Sequence, residues 1–188
     1  GVEKLAVSRG LRLLFGGLSF QLSGGEVLEL RGPNGSGQST LLRILAGLTR
    51  PHDGTVAFKG GGEDEPGRHF LGHLDAVKPS ETAAEQAAFW ARYFGREPAE
   101  AIKAMNRVGL SNREQVPGRG LSAGQKRRLA LVRLLVEPRP VWLLDEPTAA
   151  LDIEGRALVT QLVAEHRARG GMVIAAIHGD GFEGSRTL

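Results

Sequence analysis

A glycine-rich segment in the first quarter of the chain has the residue types that bind phosphate. It follows an apolar run that predicts a strand and opens a segment with helical spacing. Its glycines let backbone N–H groups turn towards one centre, and the start of the helix adds a partial positive charge there. The predicted phosphate-binding residues are Gly32, Pro33, Asn34, Gly35, Ser36, Gly37, Gln38, Ser39 and Thr40, with Ser39 offering its hydroxyl to Mg²⁺. The alternative is a glycine-rich strand-to-helix turn that binds nothing.

Two adjacent carboxylates follow a second apolar run, residues 141–144. Asp145, at the carboxyl end of this predicted strand, is placed to hold the metal through water. Glu146 would polarise an attacking water as the general base. The alternative is an acidic pair that caps a helix at the surface.

A third motif, Leu121-Ser122-Ala123-Gly124-Gln125, lies upstream of the acidic pair and opens a basic helix. Ser122 and the backbone of Gly124 at a helix start would make a second anion cradle. The basic run that follows is typical of a solvated helix face more than of a nucleic-acid site.

In this order, the three motifs resemble those of the ABC (ATP-binding cassette) ATPases, whose third motif reads LSGGQ. Ala123 stands for the first inner glycine. The resemblance implies that the signature residues contact the γ-phosphate of ATP bound to the other subunit, so that a homodimer closes on two ATP molecules. The residues implied in this contact are Ser122, Gly124 and Gln125.

Two further matches follow in family order. Ala150-Leu151-Asp152 resembles the dimer-contact loop, which gives Asp152 a role at the nucleotide sandwich. His178, after an apolar strand, matches the switch histidine that touches the γ-phosphate, although a lone histidine after a strand is otherwise structural.

Within the family, the chain is similar to CcmA, the ATP-binding subunit of the haem exporter of bacterial cytochrome c biogenesis. The segments that carry this similarity are residues 32–37, 42–48, 71–78 and 89–92. The resemblance implies CcmB- or CcmC-like integral membrane subunits as partners. It also implies a peripheral position at the cytoplasmic face of the bacterial inner membrane, with membrane contact only through partners.

The sequence departs from the family pattern at three places. Gln38 replaces the lysine that supplies a positive charge to the β- and γ-phosphates, which predicts weaker ATP binding and very slow hydrolysis. Leu74 stands where many members have glutamine, and Asp75 is a hypothetical replacement for its polar role. Arg9 stands where an aromatic residue stacks on adenine. A guanidinium can stack on a base, and the alternative is a surface residue.

The elements that would position these residues alternate between strands and helices. Strands are predicted at residues 11–15, 18–22, 27–30, 55–58, 141–144 and 172–177, and helices at 39–46, 82–94, 98–108, 122–136 and 154–169. Residues 60–67 predict a polar loop. We therefore expect one α/β domain over 1–188, with an ABC-type P-loop core (1–74 and 136–188) and an inserted helical subdomain (75–135) that carries the signature.

Composition narrows the possible functions. The chain has no cysteine, which excludes a thiolate metal site or a cysteine nucleophile. Its net charge of +3 gives no electrostatic case for nucleic acid as the main partner. No apolar stretch reaches the roughly 20 residues that span a bilayer.

Two other functions stay open at this stage. One is a cassette that binds nucleotide but is catalytically silent; Gln38 favours it, whereas Glu146 and His178 argue against it. The other is an ABC ATPase of translation or DNA repair, which usually has tandem cassettes or long coiled coils. This chain has neither.

Overall fold

The computed structural model describes residues 1–58 and 67–188, with Arg9 described by its backbone only. The described chain forms two compact units. The first comprises residues 1–73, 139–147 and 162–188, and the second comprises residues 74–138 and 148–161. The polar loop predicted at residues 60–67 lies, apart from Gly67, outside the described residues. The domain boundaries expected from the sequence stay a prediction.

The first unit is built on two sheets and one complete helix. Its elements are β1 (Val2–Arg9), β2 (Arg12–Phe20), β3 (Val27–Leu30), α1 (Gln38–Leu45), β4 (Asp53–Val56), β5 (Arg68–Leu71), β6 (Val141–Asp145), β7 (Met172–Ala176) and β8 (Arg186–Thr187). Helix α5 (Ile153–Ala168) belongs to it from residue 162 onward.

The central sheet has the strand order β5-β6-β7-β3-β8, and its adjacent strands run parallel. Ala176 of β7 pairs with Leu30 of β3 on one side and with Asp145 of β6 on the other. Strands β3 and β6 are buried throughout, as predicted for mainly apolar runs in a parallel sheet. The predictions of β3, β6 and β7 are therefore confirmed.

The second sheet is antiparallel, with the order β2-β1-β4. The prediction of separate strands at residues 11–15 and 18–22 was wrong, because β2 continues through Gly16 and Gly17. Between the Leu5↔Leu18 and Val7↔Phe15 pairs, β1 advances by two residues and β2 by three. Gly17 has a φ of 73°, so the glycines form a bulge and do not end the strand.

The core of the first unit joins both sheets to α1. Strand β1, which the sequence analysis did not predict, contributes the buried Val2, Leu5 and Val7. Helix α1 contributes Leu41, Leu42, Ile44 and Leu45 to the same cluster. Burying a leucine or valine side chain of this kind stabilises the fold by about 1.5–3 kcal/mol.

The second unit is helical. It contains α2 (Ala83–Tyr93), α3 (Pro98–Arg107), a 3₁₀ turn (Gly118–Gly120), α4 (Ala123–Val136) and the first part of α5. The capping box predicted for Thr82 and Glu85 is confirmed, with Thr82 Oγ1 accepting from Glu85 N–H at 3.2 Å. Pro98 begins α3, as predicted from its fixed φ and missing N–H. Within the described range, no helix has the length and apolar character needed to cross a membrane.

A buried imidazole supports the first unit from α5. His166 stacks face to face on Trp142 of β6, with ring centroids 3.9 Å apart and planes inclined by 8°. Burial lowers the pKa of His166, with a smaller lowering from Arg169, while hydrogen bonding to the backbone of Pro140 and Met172 acts in the opposite direction. The folded protein therefore favours the neutral ring.

This preference predicts how stability depends on pH. Because the pKa of His166 is lower in the folded than in the unfolded state, the unfolded state binds more protons as pH falls below about 6.5. The free energy of unfolding should then decrease as pH falls from about 6.5 through the lowered pKa. Urea unfolding at several pH values measures this, and His166→Phe, which keeps a stacked ring, should remove that part of the dependence. His52→Asn, at an exposed histidine, is the control. Equal pH dependence in the parent and His166→Phe would contradict the prediction.

Candidate functional site

The predicted phosphate loop links β3 to α1. It runs from Gly32 to Gly37, and Gln38, Ser39 and Thr40 form the first turn of the helix. The N-cap residue Gly37 has a φ of 104°, and a Cβ atom there would lie 2.9 Å from the ring of Phe15. Both its backbone conformation and its surroundings therefore favour glycine.

The start of α1 is suited to bind an anion. Its N-cap supplies no side-chain hydrogen bond to the first-turn N–H groups. Gly35, with a φ of 82°, gives the loop its turn, while Pro33 and Asn34 lie on the surface. Uncapped N–H groups and the helix dipole together attract a phosphate oxygen.

Gln38 points back to the sheet. Its Nε2 donates to the carbonyl oxygen of Leu30 at 3.2 Å, and that oxygen also accepts the N–H of Ile177 at 3.3 Å. The side chain in the position of the family lysine is thus hydrogen-bonded at the junction of β3 and β7. It brings no positive charge to the loop.

The two predicted carboxylates lie at the end of β6. Asp145 is the last residue of the strand and is 4% exposed. Glu146 has a φ of 49°, a conformation that costs free energy for a residue other than glycine, and its N–H donates to the carbonyl of Ala176 at 2.9 Å. The Glu146 carboxylate is half-buried.

His178 lies beside Glu146. It follows the end of β7, and its Nε2 is 3.2 Å from Oε1 of Glu146. Because β6, β7 and β3 are adjacent and parallel, their carboxyl ends bring the phosphate loop, the acidic pair and His178 to one edge of the sheet. The first unit therefore groups these predicted site residues.

The signature residues belong to the second unit. Ser122 is the N-cap of α4: its Oγ accepts from Gln125 N–H at 3.2 Å, and Gln125 Oε1 accepts from Ser122 N–H at 2.9 Å. A Cβ on Gly124 would lie 3.0 Å from the carbonyl oxygen of Ala150, so the chain packs closely there. The cap fixes the direction of the Ser122 side chain, whose hydroxyl proton can still be donated.

Asp152 is held in the same unit. Its Oδ1 accepts from Gly155 N–H at 2.8 Å and from Arg128 Nη2 at 3.2 Å. The hydrogen bond from Gly155 and the pairing with Arg128 lower the pKa of Asp152, against a smaller opposing effect of desolvation. The second unit thus groups the signature helix with the predicted dimer-contact loop.

Asp75, the hypothetical replacement for the missing glutamine, forms an ion pair with an arginine. Its Oδ1 accepts from Nη1 of Arg127 at 2.8 Å, and the Arg127 side chain is 2% exposed. Asp75 thus neutralises a buried guanidinium of the signature helix. Leu74, the residue at the glutamine position, is 82% exposed. The side chain of Arg9 lies outside the described residues, so its proposed stacking on adenine stays a prediction.

The sequence analysis missed a buried carboxylate next to the phosphate loop. Glu29 in β3 is 2% exposed and accepts hydrogen bonds from Arg31, Phe182 and Ser185. Hydrogen bonds from these three donors lower its pKa although desolvation, the largest single effect, raises it. A single charged residue inside the apolar run 27–30 was the available signal.

A cavity of about 630 Å³ lies beside the phosphate loop. Strand β2 supplies one wall, including Leu14 and Phe15, and Ser36 and Gln38 line the side towards the loop. The sequence analysis did not foresee this apolar wall, because the residues that form it are distant from the loop in sequence.

Comparison with known proteins shows the family of this chain. The profile of the ABC transporter family matches residues 15–149. The cytochrome c biogenesis ATP-binding export protein CcmA of Rhodopseudomonas palustris (strain BisB5) is 49% identical over 173 residues, which cover 90% of this chain and 86% of that protein. CcmA of Rhizobium meliloti (strain 1021) is 46% identical over 195 residues, covering 99% and 94%.

Solved structures share the fold. An ATP-binding protein described among the ABC transporters of Pyrococcus furiosus superposes with a TM-score of 0.85 at 21% identity, covering 100% of this chain and 94% of that one. An ATP-binding subunit of another ABC transporter gives a TM-score of 0.79 at 22% identity, covering 93% and 78%. The α/β ABC-type fold class expected from the sequence is confirmed. By its family profile and its near-half identity to these relatives, the chain belongs to the ABC transporter family, as an ATP-binding subunit similar to CcmA.

Proposed function

We propose that this chain binds ATP with Mg²⁺ and serves a transporter that exports haem across the bacterial cytoplasmic membrane for cytochrome c biogenesis. The observation that carries this is its similarity, over nearly the whole chain, to export proteins named for cytochrome c biogenesis. In this role the chain converts ATP binding and hydrolysis into conformational change of membrane partners.

The phosphates would lie on the uncapped start of α1. The N–H groups of the loop and of the first helical turn donate to the phosphate oxygens. Ser39, exposed in that turn, and Asp145, at the end of β6, provide the hydroxyl and carboxylate oxygens that suit Mg²⁺. Mg²⁺ held by these two residues would supply positive charge that neutralises the charge developing on the phosphates.

Glu146 and His178 would act on the γ-phosphate side. Glu146 takes the proton of the attacking water, and its strained backbone and its bond to Ala176 hold the carboxylate for that purpose. His178, 3.2 Å from that carboxylate, would hold the γ-phosphate and keep Glu146 oriented.

Gln38 would slow hydrolysis. The amide carries no charge, and one of its two N–H donors is already bonded to the carbonyl of Leu30. The transition state spreads negative charge over the γ-phosphoryl oxygens, where a lysine would be most effective. Backbone N–H groups and Mg²⁺ remain to bind the nucleotide.

The active assembly would be a homodimer on membrane subunits. Two chains would enclose two ATP molecules, with the phosphate loop of each opposite the Ser122 helix of the other and Asp152 at the contact. Residues 75–135 would form the subdomain that docks on CcmB- or CcmC-like integral subunits. The chain would thus be peripheral at the cytoplasmic face of the inner membrane, and it would need no nucleic acid.

A second candidate is a cassette that binds ATP without turning it over and supports an active partner. The hydrogen bond between Gln38 and Leu30 favours it, since the uncharged side chain is already engaged with the backbone at the end of β3. The retained pair of Glu146 and His178 argues against it, because a silent site has no need for a general base.

Restoring the lysine should restore hydrolysis. In Gln38→Lys, with Mg²⁺ present, we expect ATP turnover to rise by about 10²–10³ over the parent, the usual effect of one preorganised donor to the transition state. Steady-state phosphate release measures this, and nucleotide binding is measured in parallel. Gln38→Met, uncharged and of similar length, is the control and should stay slow. A parent that hydrolyses ATP as fast as Gln38→Lys would contradict the role given to Gln38.

Removing the general base should separate binding from hydrolysis. In the Gln38→Lys protein, Glu146→Gln should lower turnover by about 10²–10⁴, the usual contribution of a general base. ATP binding should persist, and gel filtration with ATP should show the dimer. The control is Glu154→Gln, at an exposed carboxylate of α5. This change should alter neither the turnover nor the ATP-dependent dimer. Full turnover in the Glu146→Gln protein would remove Glu146 from the mechanism.

The transport role can be tested in cells. In a bacterium that lacks its own CcmA, we expect the Gln38→Lys protein to restore holocytochrome c, measured by haem staining, and to co-purify with the membrane subunits. Gly124→Asp should fail, because a side chain there meets the carbonyl of Ala150 and adds negative charge to the signature. Co-purification without restored cytochrome c would contradict haem export while keeping the transporter assignment.

A further inference from the structure

A hydrogen-bonded network centred on a buried carboxylate connects the start of the phosphate loop to the segment that follows His178. Its centre is the Glu29 carboxylate, whose side chain is 3% exposed although it lies in a parallel strand between two leucines. A carboxylate is retained in such a place only when donors surround it. Here the donors come from the far end of the sequence, residues 182–185, and from Arg31.

The carboxylate holds the segment at two points. Oε1 of Glu29 accepts from Phe182 N–H at 2.6 Å and from the Ser185 hydroxyl at 2.7 Å. The β3–β8 pairing continues this contact, since the carbonyl of Glu29 accepts Leu188 N–H at 2.8 Å. The chain after β7 is therefore fixed to the strand that leads into the phosphate loop.

Arg31 extends the network to His178. Its Nε donates to Oε2 of Glu29 at 2.9 Å, and its Nη1 donates to the carbonyl oxygen of Gly179 at 2.8 Å. The guanidinium can do both because its planar fork directs N–H groups along fixed directions. Gly179 directly follows His178, so Arg31 controls the backbone from which the imidazole extends.

The space around this network leaves little room for movement. A Cβ atom on Gly181 would lie 2.5 Å from Oε1 of Glu29 and 2.8 Å from Nη2 of Arg31. The segment passes directly over the ion pair, and a side chain at residue 181 would displace it. The segment after His178 can keep its position only while the Glu29–Arg31 ion pair keeps its own, and the reverse also holds.

We propose that Glu29 and Arg31 are positioning residues that set His178 against the γ-phosphate, by anchoring the carbonyl of Gly179 and the backbone of Phe182. This inference rests on the proposed function, in which His178 contacts the γ-phosphate. Arg31 lies one residue before the phosphate loop. The end of β3 therefore aligns both the phosphate loop and His178, the two groups that receive the nucleotide. Loss of the anchor weakens the contact that distinguishes ATP from ADP.

The test variant is Arg31→Met, which keeps the length of the side chain and removes both hydrogen bonds. Its control is Arg186→Met, because Arg186 forms an exposed ion pair with Glu26 at 3.6 Å, also between β8 and the N-terminal end of β3. Hydrogen exchange of the amides at residues 179–185, without nucleotide, should be faster in Arg31→Met than in the parent and unchanged in Arg186→Met. Unchanged exchange in Arg31→Met would overturn the anchor.

The second measurement is the ratio of ATP to ADP affinity with Mg²⁺. We expect this ratio to fall by about tenfold in Arg31→Met, the effect of losing one charge-assisted hydrogen bond to the γ-phosphate, while the ratio in Arg186→Met equals that of the parent. If hydrogen exchange at residues 179–185 is faster in Arg31→Met but the ratio of ATP to ADP affinity is unchanged, the network only supports the structure. That result would overturn the positioning role. A parent that binds neither nucleotide would refute the proposed function itself, and this inference with it.

Discussion

Parallel pairing of β6, β7 and β3 is the constraint on which the rest of the site depends. Because all three strands point the same way, Leu30, Asp145 and Ala176 end in register at one edge of the sheet. With strands about 4.8 Å apart, the groups that follow β3 and β6 are separated by roughly 10 Å, with β7 between them. The predicted phosphate loop, a carboxylate pair and an imidazole can therefore face one nucleotide.

Polar groups in each of the two units serve two purposes, and the buried ones mainly hold backbone in place. Glu29 and Arg127 lie almost fully inside, and each meets an oppositely charged partner. Breaking such a pair by removing one partner generally costs about 3–5 kcal/mol, whereas the intact pair adds little net stability. Their value lies in fixing one arrangement of the segments they join, which a catalytic site requires. The exposed Ser39 and the half-buried Glu146 and His178 remain available to ligands.

The sequence predicted much of this because the relevant signals are local. The strands β6 and β7 are apolar runs, β3 is apolar apart from Glu29, the starts of α2 and α4 are capping boxes, and the phosphate loop is defined by closely spaced glycines. The predictions failed for segments whose local sequence pattern indicates one structure but whose contacts with distant residues produce another. Gly16 and Gly17 predict a turn, yet pairing with β1 makes them a bulge, and the charged N-terminal segment becomes a strand because Val2, Leu5 and Val7 find a core.

The sequence by itself determined which chemistry is possible: a phosphate loop without its lysine, an acidic pair after a buried strand, and a signature that begins a helix. Only the tertiary structure decided what Gln38, Asp75 and Glu29 contact, namely the carbonyl of Leu30, the buried Arg127, and a segment more than 150 residues away. The physical reason is that a hydrogen bond depends on distances of about 3 Å between atoms. Spacing along the chain fixes such distances within a helix turn or a cap, but packing alone fixes them between strands and loops that are remote in sequence.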